Sequence, residues 1–330
     1  MQLPNPPKGY NIRAKNMGLK GYEEMEGKVA MQRGELAQVI ERLTMTDGTH
    51  ETLIPGLCFF RASQISEPVH SVYKPSLCVV AQGSKVVMLG QEVYQYDSDH
   101  YLTASVKLPI SGQVAEASSE APYFSLRLQF TMDQILDVLQ ASDQVESSKR
   151  QYGRGLVINR MSDSLHDSVM RLVHLLDSPR DIPVLAQYAV REIIYRILQE
   201  EQGNTLKQFA LIGSHAQRVA KVIERVNRDF ALPLRVDELA EEAEMSASSL
   251  YHYFKEVTAM TPIQYQKQLR LQEARRLLLS STMEAAEAAF QVGYESPSYF
   301  NREYARMFGA PPIRDIQRFR DALQAGEAHY

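Results

Sequence analysis

Only two cysteines, Cys58 and Cys78, occur in 330 residues, too few for a disulfide framework or a cysteine-held zinc ion; if they act, they act as thiols. No apolar run approaches the ~18 residues of a membrane span. The stretch from Met1 to Pro7 lacks the apolar core of a signal peptide, so a cytoplasmic protein without a membrane partner is expected. There is no His-x-His, and His70, Glu92 and His100 are too scattered to suggest a clustered ligand set. No metal, cofactor or catalytic group is therefore predicted, and the chain reads as a non-enzyme. The net charge of −4 excludes a uniformly basic nucleic-acid binder. Charge has to be judged locally, and between Leu250 and Arg320 ten Lys or Arg stand against seven acidic residues, a slight excess.

The length suits two or three domains. Residues 1–33 mix Pro, Gly, Lys and Asn without periodicity and read as a flexible arm. A helix is predicted over 34–44, with Leu36, Val39, Ile40 and Leu43 on one face. From Thr49 to Phe130 the texture changes to short β-rich runs at close spacing, with hairpin turns expected at Gly83-Ser84 and Gly90-Gln91. That spacing suggests a small antiparallel barrel or double sheet. Helical periodicity returns at 132–140 and across 162–202, where Pro179 and Pro183 force a break, and again at 215–230 and 262–279. The expected class is α+β, divided into a barrel domain over 34–150, a helical connector or dimerisation segment over 151–214, and an all-α domain over 215–321.

What is present in that last domain is a motif repeated. The first copy runs from Leu239 through Ala240 and Ser246 to Leu250 and Phe254; the second runs from Ala288 through Ala289, Gly293 and Ser296 to Phe300 and Tyr304. In each, a small Ala lets two helices approach, a tight turn follows, and a Ser supplies a cap oxygen for the next helix. The second helix of each copy keeps one apolar stripe, formed by Leu250 and Phe254 in one and by Phe300, Tyr304 and Phe308 in the other. The pattern predicts two helix-turn-helix units joined by a long helix. The competing reading is a plain helical bundle.

This C-terminal architecture resembles the AraC/XylS family of bacterial transcription regulators across residues ~215–320. The resemblance rests on the tracts Lys255–Pro262, Arg270–Leu278 and Val292–Phe300. The N-terminal tracts Asp47–Thr52, Pro75–Cys78, Ala81–Lys85 and Tyr96-Asp97 look like the regulatory domain of one AraC subfamily, which implies a cupin-like barrel for effector binding or dimerisation. Glu244 departs from the pattern. It stands where the family usually has the turn glycine kept at Gly293, so a non-glycine residue is expected at positive φ.

Aligning the copies on Leu250 and Phe300 pairs Ser248 with Ser298, Tyr251 with Asn301 and His252 with Arg302. These side chains are expected to face successive major grooves, while Lys255 and Arg306, further along, suit phosphate contact against the alternative of solvated cations. Ser246 and Ser296 are read first as caps. In the barrel, Arg61, His70, Tyr73, Tyr94 and Tyr96, with Cys58 and Cys78, are candidates for an effector pocket, against the alternative that strand tyrosines pack and small thiols are simply buried. The reading that follows is a sequence-specific regulator, an activator under a small-molecule effector. Its expected partners are an operator duplex, RNA polymerase if it activates, and a second copy of the chain. A constitutive regulator whose barrel only dimerises, and a cupin-like metal enzyme fused to a DNA reader, are the alternatives.

Overall fold

The computed structural model describes residues 34–142, 153–200, 203–211, 213–280 and 283–324. The arm expected over 1–33 lies outside them. Helix α1 (34–43) buries Leu36, Val39 and Ile40 as its periodicity predicts, while Leu43 stays exposed. Nine strands follow: β1 (Gly48–Glu51), β2 (Leu57–Ala62), β3 (Val69–Tyr73), β4 (Ser76–Gln82), β5 (Ser84–Leu89), β6 (Glu92–Asp97), β7 (His100–Ala104), β8 (Leu108–Glu116) and β9 (Tyr123–Gln129). A tenth, β10 (Leu156–Arg160), comes after helix α2 (Met132–Ala141). They form two antiparallel sheets, one ordered β1-β2-β9-β4-β7-β10 and the other β3-β8-β5-β6, that face each other as a flattened barrel.

Two expectations are corrected here. Gly90-Gln91 does close a two-residue hairpin between β5 and β6, but Gly83 does not, because β4 and β5 belong to different sheets. At φ 80 it turns the chain from one sheet to the other, tight against the Glu116 carbonyl, where a Cβ has no room. The segment expected as a purely helical connector also supplies a strand: β10 pairs with β7 from Leu156↔Ala104 to Arg160↔His100 and completes the six-stranded sheet.

Strand β4 shows why the barrel sits between two layers. Its Leu77 and Val79 point outward into a core shared with α1, α2, α3 (Asp163–His174) and α4 (Ile182–Gln199), built around Phe59, Phe124, Leu126, Leu165, Ile193 and Ile194. Cys78 and Val80 point inward. A strand buried on both faces reads as a continuous apolar run rather than an alternating one. Pro183 sits in the first turn of α4, where the lost N–H has no partner to miss.

The remaining helices are α5 (Gly203–Ala210), α6 (His215–Arg228), α7 (Val236–Glu242), α8 (Ala247–Thr258), α9 (Pro262–Ser280), α10 (Ala285–Gln291), α11 (Pro297–Phe308) and α12 (Pro312–Gln324). Among the described residues no helix is long and apolar enough to cross a membrane. The first half of α9 gives Tyr265 and Leu269 to a core with Val219, Val222, Leu250 and Phe254; the second half gives Leu271, Ala274 and Leu278 to a separate core with Ala288, Ala289, Phe300 and Tyr304. One helix thus anchors both helix-turn-helix units. The first of these cores is continuous with the barrel interior through Tyr73, Leu108 and Phe209. Barrel and first unit are also tied by hydrogen bonds: the Tyr265 hydroxyl donates to the Lys107 carbonyl at 2.7 Å, and the Gly155 N–H donates to the Val257 carbonyl at 2.9 Å.

Candidate functional site

Helices α8 and α11 are the second helices of the two units. Ser246 caps α8 by accepting from the Ser249 N–H at 3.1 Å, and Ser296 caps α11 by accepting from the Tyr299 N–H at 3.3 Å. Both serines therefore occupy the capping role expected of them. With Leu250, Phe254 and Val257 turned inward on α8, and Phe300 and Tyr304 on α11, the opposite faces are left to solvent. All eight candidate contact residues lie there: Ser248, Tyr251, His252 and Lys255 on the first helix, and Ser298, Asn301, Arg302 and Arg306 on the second, each exposed. Arg302 is stacked on Tyr299, its guanidinium carbon 5.1 Å from the ring centroid. Arg306 pairs with Glu303 at 2.5 Å, and Lys267 binds the same buried carboxylate at 2.6 Å. That double pairing holds the Glu303 pKa below the usual carboxylate range against its desolvation.

The turns obey different rules in the two copies. Glu244 takes φ 51 and Gly293 φ 88, so the positive φ expected at the non-glycine position is present. Gly293 is also crowded, because a Cβ there would lie 2.8 Å from the Ala231 carbonyl carbon and closer still to its oxygen. Sequence reading missed the residue that creates this closeness. Arg270 of α9 donates to the carbonyls of Phe230 (2.7 Å), Leu232 (2.9 Å) and Gly293 (2.8 Å), pinning the loop after α6 to the turn of the second unit. Asp315 of α12 similarly accepts both forks of Arg275 at 2.8 and 2.9 Å and the Tyr304 hydroxyl at 2.8 Å. The Arg270 bonds fix how the two units sit against each other, and the Asp315 cluster holds α9, α11 and α12 together within the second. A cation inside a tract of helical periodicity is the signal that could have found them.

In the barrel the candidate pocket residues separate. Cys58, Tyr73, Cys78 and Tyr96 are buried, the last three within the interior core. Burial raises the pKa of each. Tyr94 lies half-buried at the rim and donates to Glu92 at 2.7 Å. Glu92 is in turn gripped by Arg154, whose guanidinium also reaches the carbonyls of Lys255 (2.7 Å) and Glu256 at the end of α8. Arg154 is a further residue that sequence reading missed. Arg61 is not brought to the cluster: it donates to the Thr44 carbonyl at 2.8 Å, pairs with Asp47 at 3.4 Å, and lies over the Phe124 ring in the outer layer. His70 also points away, toward the helical domain, its ring edge-on to Phe308 at 4.9 Å. His100 pairs with Asp97 at 2.8 Å, so His70, Glu92 and His100 are directed at three different partners.

The position of His70 has a measurable consequence. Burial first, then the Arg275 cation, pushes its pKa down to about 4, with Asp315 opposing. The unfolded imidazole titrates near ~6.5, so below that value the unfolded state takes up the proton more readily. Stability is full above the unfolded pKa and is lost as pH falls toward the folded one. Acidification from neutrality to pH ~4.5 should cost the native chain more than His70→Phe, by no more than roughly 3 kcal/mol in urea unfolding. Superimposable pH profiles for the two proteins would show that His70 titrates as it does in water.

Comparison with known proteins agrees with this geometry. The family described as AraC-type transcriptional regulator N-terminus matches residues 53–205, and a helix-turn-helix domain family matches 239–318. The transcriptional regulator CdhR of Pseudomonas aeruginosa is 27% identical over 148 residues, 45% of this chain and 44% of that protein. The transcriptional activator RhaS of Escherichia coli is 27% identical over 165 residues, 50% of this chain and 58% of that one. The chain thus spans about half the length of these relatives. Among solved structures, ToxT of Vibrio cholerae O395 shares the fold at a TM-score of 0.52 and 12% identity, over 78% of this chain and 97% of ToxT. With an AraC-type N-terminus and a helix-turn-helix domain in tandem, the chain belongs to the AraC/XylS family of transcriptional regulators.

Proposed function

We propose that this chain is a sequence-specific DNA-binding regulator in which α8 and α11 enter successive major grooves on one face of the duplex. The observation that carries this reading is the arrangement around α9. Two capped helices each turn an apolar stripe to that single helix and leave their polar side chains, Ser248, Tyr251, His252 and Lys255 on one and Ser298, Asn301, Arg302 and Arg306 on the other, exposed on the face where bases and phosphates would lie. The barrel is the regulatory domain and responds to a small-molecule effector, and activation through RNA polymerase is the mode of control. The ties from Arg154, Gly155 and Lys107 to α8 and α9 support a route by which a ligand in the barrel biases the reader. Such control requires that the ligand bind one arrangement of the two domains more tightly than the other.

Selection of bound duplexes from a random library, followed by footprinting on the winner, tests the proposal. Protection is expected in two adjacent major grooves about one helical turn apart, roughly 34 Å. Protection of a single groove, or no enriched sequence, would overturn the two-reader arrangement.

A further inference from the structure

Two cations face the barrel interior with no anion to meet them. Cys58, Arg127 and Cys78 lie side by side across β2, β9 and β4, all directed inward, and Lys85 on β5 approaches from the opposite sheet. The Lys85 stem runs over Gly112 of β8, where a Cβ would lie 3.2 Å from its Cε, so the glycine leaves room for the side chain to cross. The ring of Phe60 stands beside both charges, 5.4 Å from the Lys85 ammonium and 5.5 Å from the Arg127 guanidinium carbon. The Lys85 ammonium donates to the Tyr73 hydroxyl at 3.2 Å, and the Arg127 Nε is buried without a hydrogen-bond partner.

Among the described residues no carboxylate forms an ion pair with Lys85 or Arg127. Glu51, in register with Cys58 on β1, is exposed and pairs with neither cation, and the nearby thiols and phenols do not compensate. Burial raises Cys58, Cys78 and Tyr73 and pushes Tyr123 up to about 12, so these neighbours are neutral at physiological pH. Two cations set beside the same aromatic ring, neither paired with a carboxylate, favour the entry of an anion. Phe60, Lys85 and Arg127 are only partly buried, whereas Tyr73 and Tyr123 are fully so, and the cluster therefore has a side open to solvent.

We infer that the barrel interior is a binding site for a small organic acid, its anionic group held between Lys85 and Arg127 and its apolar body lying against Phe60 and Tyr73. A guanidinium and an ammonium set around one acceptor group form charge-assisted hydrogen bonds, and the flat rings favour a planar or compact apolar body. The inference rests on the barrel being the regulatory domain and names the class of effector it takes. The cleft of about 350 Å³ between Val106, Leu136 and Phe209 is less suited to an anion. Glu224 and Glu242 line it beside Lys221, Arg225 and Arg228, and Arg225 already carries Asp229 at 2.6 Å and Glu242 at 4.0 Å, while Arg228 carries Asp229 at 3.1 Å.

The full chain should be titrated calorimetrically with phenylacetate, phenyl phosphate and the neutral phenylacetamide. At least one acid should bind about tenfold or more tightly than the amide, the stronger acid identifying the preferred head group. Lys85→Met and Arg127→Met should each lose that preference while their ligand-free melting temperatures hold or rise, because an unpaired charge has been removed. An amide that binds as well as both acids, the absence of binding by either acid, or full retention of acid binding in a folded Lys85→Met protein would overturn the inference. If the variants fail to fold, the acid-against-amide comparison on the native chain decides alone. Library selection on the same preparations keeps the two claims apart: acid binding without an enriched DNA sequence fails the regulator reading, and an enriched sequence without acid preference fails only this site.

Discussion

Gly293→Ala should destabilise the second helix-turn-helix unit by about 3 kcal/mol or more, since a Cβ there would make the closest contact of any at the described glycines. Two terms add. At φ 88 any side chain is strained, and a Cβ at this position would be driven into the Ala231 carbonyl, which cannot retreat because Arg270 and Gln266 hold the loop 230–232 against α9. The core of the second unit is separate from that of the barrel and first unit, so its unfolding should move to lower urea concentration while the rest of the molecule keeps its midpoint. DNA affinity should fall with it. Glu244→Gly is the internal control: it relieves a non-glycine residue at φ 51 and loses only an exposed pair with Arg218 at 3.1 Å. That change should lie within about 1 kcal/mol of neutral, on the stabilising side. A native-like unfolding profile for Gly293→Ala would mean that the turn can move away from Ala231 and that Arg270 does not fix it.

The second large effect separates two arginines one turn apart on α11. Arg302 is exposed, with its guanidinium carbon over the Tyr299 ring at 5.1 Å from the centroid. Arg306 is paired through its guanidinium Nη2 with Glu303. If Arg302 reads a guanine edge, Arg302→Ala should cost ~1–3 kcal/mol and relax preference at one operator position. Arg306→Ala should weaken all sequences alike and reduce the slope of affinity against salt by about one. Asn301 adds a second side chain able to bond a base edge in two places, whereas Ser248, Tyr251 and His252 on α8 have shorter or less directed donors. The second reader is therefore expected to carry at least as much hydrogen-bonded specificity as the first. Binding of both variants to a library built around the selected operator measures this. A uniform loss for Arg302→Ala, with no position relaxed, would assign that residue to the backbone.

The helical half of this molecule was legible in its sequence because its determinants are local. An apolar stripe at helical spacing says which face of α8 or α11 is buried whatever it packs on, a serine before the stripe says where the helix starts, and a residue at the turn position says that φ must be positive there. Ser246 and Ser296 could each be placed without knowing the neighbouring helix, whereas the positive φ at Glu244 followed from the family resemblance, through its match to Gly293. The barrel was legible as strands, but not as a site. On β4 both faces are apolar and both are buried, so alternation could not tell that Cys78 points into the barrel and Leu77 into the helical layer. Arg61 and His70 were grouped with the interior for the same reason, although register turns the first to the outer layer and the second to Phe308.

Pairing of distant strands decided the rest. Gly83 was a turn in either reading, and only the partners of β4 and β5 made it a corner between sheets instead of a hairpin. Lys85 and Arg127 look like ordinary solvated cations in isolation, each in a half-polar strand. Closure of the two sheets puts them beside one phenylalanine ring and away from any carboxylate among the described residues. Local periodicity thus determined which segments are helices and which helix faces are free, while tertiary pairing determined which face of each strand is inside, because a strand's alternation fixes two faces and says nothing about which of them the other sheet will cover.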